Sequence, residues 1–211
     1  MSDTPPGAIR ILTVDDHPIL REGIAAVLEG QKDMVLLGQA SNGREAIESF
    51  RRLLPDVTLM DLRMPDMSGI EAIVAIRAAF PNARIIVLTT YAGDVQAAAA
   101  LRAGAAGYML KNFVRRDLLE TIRAVHAGKR RVAPEIAAEI AEHVADDKLT
   151  EREVQVLRSV AAGMANKSIA TALDISEETV KTHMKTILPK LAATDRTHAV
   201  IIALKRGILD L

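Results

Sequence analysis

The chain of 211 residues has no cysteine, no tryptophan, two tyrosines and three phenylalanines. Without cysteine, neither a disulfide framework nor a thiolate metal site can form. With aromatic residues at 2%, the core must be built from Ala, Val, Ile, Leu and Met. No uninterrupted apolar stretch reaches the ~20 residues that a membrane-spanning helix needs. Residues 1–7 are polar and proline-rich, with no basic start and no long apolar run, so they do not read as a signal peptide. The expectation is a reducing, cytoplasmic setting without membrane attachment. Net charge is absent as well, since 27 Lys and Arg balance 27 Asp and Glu. That zero is an average. Residues 1–132 carry +2, residues 133–148 carry −4 and residues 149–211 carry +2. An acidic segment between two weakly basic halves marks a boundary more than a partner.

What is present falls into two patterns. Up to Gly128, short apolar β-rich runs (9–14, 34–40, 57–60, 83–88, 107–110) alternate with segments of helical spacing (18–28, 44–53, 69–79, 95–103, 116–127). Five strands alternating with five helices imply βαβ units and a parallel sheet covered on both faces. The strands are continuously apolar, as strands buried on both sides are. The fold expected is α/β, a flavodoxin-like (βα)5 doubly wound parallel sheet. Gly104 and Gly128 stand where helix C-caps belong.

Beyond Gly128 the strand signal stops. Pro134 is placed to open a helix, and Ile136, Ile140 and Val144 recur every four residues, as in a short amphipathic linker helix. Asp146–Lys148 is a polar break. Four helical segments follow, so a small all-α four-helix domain is expected. Thr150 and Glu153 form a capping box, and Asn166, Ser176 and Thr194 are further N-cap candidates. The expected division is 8–128, a linker at 129–148, and 149–211.

The chemistry gathers at strand ends. Asp15 and Asp16 follow the first strand and Asp61 follows the third. The C-terminal strand ends of an open parallel sheet form its ligand crevice, and strands one and three are neighbours in the flavodoxin-like order. Three carboxylates that close raise one another's pKa unless a cation is present, and a hard divalent ion with oxygen ligands, Mg²⁺ above all, answers that need. Thr89 and Thr90 end the fourth strand and Lys111 ends the fifth, adding hydroxyls and an ammonium. Acid cluster, hydroxyl and cation together make a phosphoryl site.

Residues ~8–128 resemble the receiver domain of two-component signalling. The strings that carry the likeness are Thr13-Val14-Asp15-Asp16-His17, Leu59-Met60-Asp61-Leu62-Arg63-Met64-Pro65-Asp66-Met67-Ser68-Gly69, Val87-Leu88-Thr89-Thr90 and Gly107-Tyr108-Met109-Leu110-Lys111. The resemblance implies that Asp61 accepts phosphate. It implies that Asp16, Asp61 and the backbone carbonyl of Arg63 hold Mg²⁺, with Asp15 acting through water. It gives Thr89 and Lys111 to the phosphoryl group and makes Tyr108 a switch that changes rotamer with Thr89. Asn112 stands where many receivers have proline, which removes the usual cis-proline candidate.

In the second half, Val180, Met184, Ile187 and Leu191 form one apolar helix face, while Lys181, Thr182 and Lys185 share another. A short helix at 167–173 precedes them across the turn Asp174-Ile175-Ser176. Two helices with a tight turn, the second basic on its outer face, follow helix-turn-helix logic. Residues 149–209 resemble a LuxR-type helix-turn-helix domain, the partner of receivers in the FixJ (NarL-like) class. The residues carrying this are Leu149-Thr150-Glu151-Arg152-Glu153, Val156-Leu157, Gly163, Asn166-Lys167-Ser168-Ile169-Ala170, Leu173, Ile175-Ser176, Thr179-Val180-Lys181-Thr182-His183, Lys190-Leu191 and Arg196. The resemblance directs Lys181, Thr182 and Lys185 toward bases, and Asn166, Lys167, Thr179 and His183 toward phosphates. It assigns a dimer contact to the last helix, 195–205. Two departures stand out. Pro189 lies inside the recognition helix, where it removes the bond to the Lys185 carbonyl and should kink it. Ala192-Ala193 replaces the usual Gly-Val and weakens the C-cap.

The function expected is a response regulator: Mg²⁺-dependent phosphorylation at Asp61 by a sensor histidine kinase, then homodimerisation on promoter DNA. Its only chemistry would be self-phosphorylation and autodephosphorylation. One alternative is a receiver that acts through protein contacts with weakened DNA binding. Another is an aspartyl-phosphate phosphohydrolase, which would want an acid/base residue where Arg63 stands. His17, His126, His143 and His198 show no ligand spacing.

Overall fold

The computed structural model describes residues 7–90, 93–143 and 147–209, with only the backbone at 113–116. Met1–Pro6, Val144, Asp146, Asp210 and Leu211 lie outside the described residues, so the leader reading and part of the linker reading are not met by it. The contacts divide the chain into two compact units, one carrying the sheet and one carrying the C-terminal helices.

In the first unit, β1 (Ile9–Val14), β2 (Met34–Ala40), β3 (Val57–Asp61), β4 (Ile85–Thr89) and β5 (Gly107–Leu110) alternate with helices. These are α1 (Pro18–Glu29), α2 (Gly43–Leu53), α3 (Gly69–Ala79), α4 (Asp94–Arg102) and α5 (Val114–His126). All strand pairs are parallel, in the order β2-β1-β3-β4-β5, with β6 (Arg131–Val132) at the outer edge of β5. Every residue of β3 and β4 is buried, as strands covered on both faces must be. Ile11, Leu59, Ile86 and Leu88 pack against Ile24 and Leu28 of α1 and Leu118, Ile122 and Val125 of α5. Strand residues of the other parity face α2 and α3, where the rings of Phe50 and Phe80 stand 5.1 Å apart. Burying each such aliphatic side chain stabilises the fold by about 1.5–3 kcal/mol, before the opposing chain entropy.

The sixth strand corrects the expectation of five. β6 (Arg131–Val132) adds a two-residue parallel edge to β5, and the Ala133 N–H donates to the Tyr108 carbonyl at 3.1 Å. Two residues, one exposed and one half-buried, give no periodicity to read. The α6 helix (Pro134–Glu142) begins at Pro134, with Ile136 buried.

In the second unit, α7 (Glu151–Ala161), α8 (Asn166–Leu173), α9 (Glu177–Lys190) and α10 (Arg196–Lys205) surround a core of Val156, Leu157, Ile169, Val180, Ile187, Ala199 and Ala203. Among the described residues, no helix is long and apolar enough to cross a membrane. Thr150 and Glu153 close the expected capping box, and Ser176 caps α9 by accepting from the Thr179 N–H. Two cap expectations fail. Asn166 is already helical, and Ala165 holds the N-cap position without a side-chain bond. Thr194 yields to Asp195, whose carboxylate accepts from the N–H groups of Thr197 and His198, both at 2.9 Å. A charged acceptor serves a helix N-terminus better than a hydroxyl.

Pro189 does not interrupt α9. It falls in the last turn, and the Leu191 N–H to Ile187 carbonyl bond resumes beyond it at 3.1 Å. Ala192 then takes a left-handed φ of 50°. Its N–H reaches the Pro189 carbonyl, and the Ala193 N–H reaches the Leu188 carbonyl at 2.8 Å. That is a Schellman ending made without glycine. An L-residue pays about 1–2 kcal/mol for this conformation. Ala192→Gly should therefore stabilise the C-terminal helices by about 1 kcal/mol, after allowance for glycine's extra unfolded-state freedom. Urea unfolding followed by circular dichroism checks this, and an unchanged midpoint would mean that the left-handed turn carries no strain.

Candidate functional site

The sheet register builds the first site. Val14 pairs with Met60, so Asp15 emerges beside Asp61, the last residue of β3. Asp61 pairs with Leu88, and Thr89 with Leu110, which brings Thr89 and Lys111 to the same edge. Lys111 opens a single 3-10 turn, Lys111–Phe113, instead of ending β5. Its Nζ lies 2.7 Å from Asp15 Oδ2 and 2.8 Å from Asp61 Oδ2. Both carboxylates are almost completely buried. Burial pushes the Asp61 carboxyl above the usual range, an effect only partly offset by its bond to Lys111. Burial alone would depress Lys111, but its bonds to Asp15 and Asp61 outweigh that and hold it above its ordinary value.

Other groups complete the crevice. The Arg63 N–H donates to Asp61 Oδ1 at 3.3 Å. Gly69, the first residue of α3, lets the helix start press on the β3 end. A Cβ there would lie 1.9 Å from the Asp61 carbonyl oxygen. Thr89 is buried and Thr90 exposed, so only the first of the two hydroxyls belongs to the interior. Tyr108 is fully buried, which raises its phenol above the ordinary value.

His17 shows no ligand spacing in the sequence, yet it joins the cluster. Its Nδ1 lies 2.7 Å from Asp16 Oδ1 and 3.2 Å from Asp15 Oδ1. Asp15, Asp16, His17 and Asp61 offer ligand atoms that all fall within 4.8 Å of one another. The residue arrangement fits a divalent cation. Three carboxylates converge, Lys111 supplies a single compensating charge, and the donors other than His17 are hard oxygens.

The second site lies on α9. Val180 and Ile187 are fully buried and Leu191 nearly so, with Met184 packed against them. Lys181, Thr182 and Lys185 are exposed, as are Lys167 and the α9 cap Ser176, while Asn166, Thr179 and His183 are half-buried. Lys181 Nζ pairs with Glu178 at 3.1 Å on the helix surface. Asp174, in left-handed conformation at φ 53°, makes the turn between α8 and α9.

Comparison with known proteins agrees with both halves. The model of the response regulator receiver domain matches residues 11–123, and that of the bacterial regulatory proteins of the luxR family matches residues 147–203. The chain belongs to the LuxR-family response regulators. It is 40% identical over 214 residues to the uncharacterized transcriptional regulatory protein YxjL of Bacillus subtilis, covering 96% of this chain and 98% of that one. It is 37% identical over 207 residues to the response regulator VraR of Staphylococcus aureus, covering 96% and 99%. A solved structure of RcsB from Salmonella enterica, bound to a promoter in the presence of a phosphomimetic, aligns with TM-score 0.72 at 28% identity, covering 94% and 98%. The family is one of transcriptional regulators with a receiver and a DNA-binding domain, and it is not a class of enzyme in the ordinary sense.

In this LuxR-family chain, one further residue supports α9. Glu153 of the capping box is buried and accepts from the Thr150 N–H at 2.7 Å. It also accepts from Lys190 Nζ at 2.8 and 3.0 Å and from Thr186 Oγ1 at 3.0 Å. The sequence shows the cap but not these partners, because 33 and 37 residues separate them from Glu153. Although burial opposes it, these bonds hold the Glu153 carboxyl at about 2, against 4.5 for a free one. A depressed carboxylate stabilises the fold fully above its unfolded value, and the stabilisation fades as pH falls toward the folded one. Glu153→Gln should therefore cost about 2 kcal/mol near neutral pH. The gap to wild type should narrow as pH falls from 4.5 toward 2. Urea unfolding across that range checks it, and a pH-independent gap would reject the ionic clamp.

Proposed function

We propose that this chain is a phosphorylation-switched transcription regulator, with Asp61 as the phosphoacceptor. The observation that carries the reading is the bridge from Lys111 to Asp15 and Asp61, at 2.7 and 2.8 Å, in a crevice at the strand ends. The proposed division is a receiver at 8–128, a partly helical linker at 129–148 and a DNA-binding domain at 149–211.

Asp61 acts as nucleophile on the phosphorus of a phosphodonor, either a sensor histidine kinase or a small acyl phosphate. Its Oδ forms the new P–O bond while the donor leaves with the electrons of the old one. Asp16, Asp61 and the Arg63 carbonyl would hold Mg²⁺, with Asp15 acting through water. The cation supplies charge compensation for the transferred phosphoryl group. Lys111 sits on Asp61 before transfer and remains as counter-ion to the acyl phosphate afterwards. Phosphorylation adds roughly −1.5 to −2 charge and new acceptor oxygens. The Thr89 hydroxyl is the donor placed to answer them, and Tyr108 responds to its movement. Water then attacks phosphorus, releasing inorganic phosphate and restoring the Asp61 carboxylate.

The output is DNA. Lys181, Thr182 and Lys185 read base edges, while Asn166, Lys167, Thr179 and His183 position the domain on phosphates. The regulator works on promoter DNA as a homodimer through α10, in the cytoplasm. With Mg²⁺ and acetyl phosphate, intact-mass spectrometry should find a single added phosphoryl group on the wild type and none on Asp61→Asn. Phosphorylation should also tighten binding to a selected DNA site by about tenfold, a shift of about 1.4 kcal/mol. A phosphoryl group retained by Asp61→Asn would move the acceptor elsewhere.

A further inference from the structure

The outer face of α9 has an acidic centre. At about 100° per residue, Glu178 lies roughly 180° around the helix from the buried Ile187. Lys185 is roughly 20° from Glu178 on this wheel, Thr182 about 40° and Lys181 about 60°. Glu178 thus lies near the middle of the outer face, with Thr182 on one side of it and both lysines on the other. It is 79% exposed in its side chain and Lys181 58%, with 3.1 Å between them. The Thr182 hydroxyl is turned back onto the Glu178 carbonyl at 3.0 Å.

A carboxylate in that place has few partners in DNA. If α9 enters a major groove by the face opposite its core, Glu178 arrives at the base edges before most of its neighbours, since N-terminal residues of a recognition helix go deepest. Guanine presents O6 and N7 there, thymine O4, and adenine an N7 beside its amino group. Each of those acceptors repels a carboxylate. Cytosine presents a single donor, its N4 amino group. Lys181, held beside Glu178, carries the donor that guanine O6 and N7 require. An exposed pair of this kind is worth little in the free protein, so it opens at small cost when both ends find base partners.

We propose that Glu178 and Lys181 together read one G·C base pair, Glu178 accepting from cytosine N4 and Lys181 donating to guanine. This rests on the DNA-reading role proposed above and adds a specificity residue to it. The bland role for Glu178, a first-turn acid favoured by the helix dipole, applies equally to Glu177. Glu177 lies about 100° from Glu178, away from the centre of the face, and so serves as the control.

The experiment is selection from a random DNA pool with the full chain, treated with beryllofluoride and Mg²⁺, comparing wild type, Glu178→Ala and Glu177→Ala. The expected result is a wild-type motif with one fixed G·C pair that is selected less strictly in Glu178→Ala, where Lys181 alone still favours guanine, and stays fixed in Glu177→Ala. Changing that pair should weaken wild-type binding about tenfold and Glu178→Ala binding several-fold less, because Lys181 still donates to guanine in the variant. A wild-type motif that survives intact in Glu178→Ala overturns the Glu178 assignment alone. A uniform change in affinity shared by both variants does the same, because it reduces Glu178 to helix electrostatics. A wild type that selects no motif overturns both this assignment and the DNA-reading role beneath it.

Discussion

One lysine holds the crevice together. Lys111 Nζ reaches two nearly buried carboxylates from separate strands, at 2.7 and 2.8 Å. Without it, Asp15 and Asp61 would be neighbouring buried anions, an arrangement that proteins avoid by protonation or by an added cation. Everything else at the sheet edge is arranged around that balance. The register of β1 against β3 brings the two acids side by side. The 3-10 turn after β5 aims the lysine back at them. Gly69 lets α3 begin against the Asp61 carbonyl, where any side chain would collide. With three carboxylates against one ammonium the crevice remains short of positive charge, and that shortage is what favours a divalent cation. It also prepares the site for a phosphoryl group, whose charge then has compensation in place.

The second unit uses the same device for a different end. Glu153 begins as a helix cap and finishes as the partner of Lys190, tying the start of α7 to the last turn of α9. That last turn is where Pro189 removes one backbone bond, and where Ala192 bends into a conformation better suited to glycine. The ion pair and the Schellman bonds therefore support the one stretch of α9 whose own sequence supports it least. The exposed face carrying Lys181, Thr182 and Lys185 lies on a helix anchored at both ends, by Ser176 at the start and Lys190 at the finish.

Most of the fold could be read from the residues because its signals are local and repeated. The bounds of β1, β2, β5 and α3 coincide with apolar runs or helical spacing. The remaining strands and helices differ by a residue or two at their ends, where the signals fade. The acidic crevice was legible for a related reason: strand ends in a parallel sheet converge by topology, so placing the strands places Asp15, Asp61, Thr89 and Lys111. What escaped had no local signature. β6 is two residues long and owes its existence to the free edge of β5. Asn166 has the right chemistry for a cap, yet the helix begins one residue earlier. Thr194 lost its expected role to the charged neighbour Asp195. His17 shows no ligand spacing in sequence, because its closeness to Asp16 and Asp15 arises from the bend between β1 and α1. The bonds from Glu153 to Thr186 and Lys190 cross more than 30 residues, beyond any periodicity.

The claim that Lys111 stands in for missing cation charge has a direct test. Calorimetric titration of Mg²⁺ should be run on the unphosphorylated wild type and on Lys111→Met. Both should bind one ion per chain, Lys111→Met several-fold more tightly, since its acids lose their internal counter-charge. Equal affinity in the two proteins, or weaker binding by the variant, would contradict the claim.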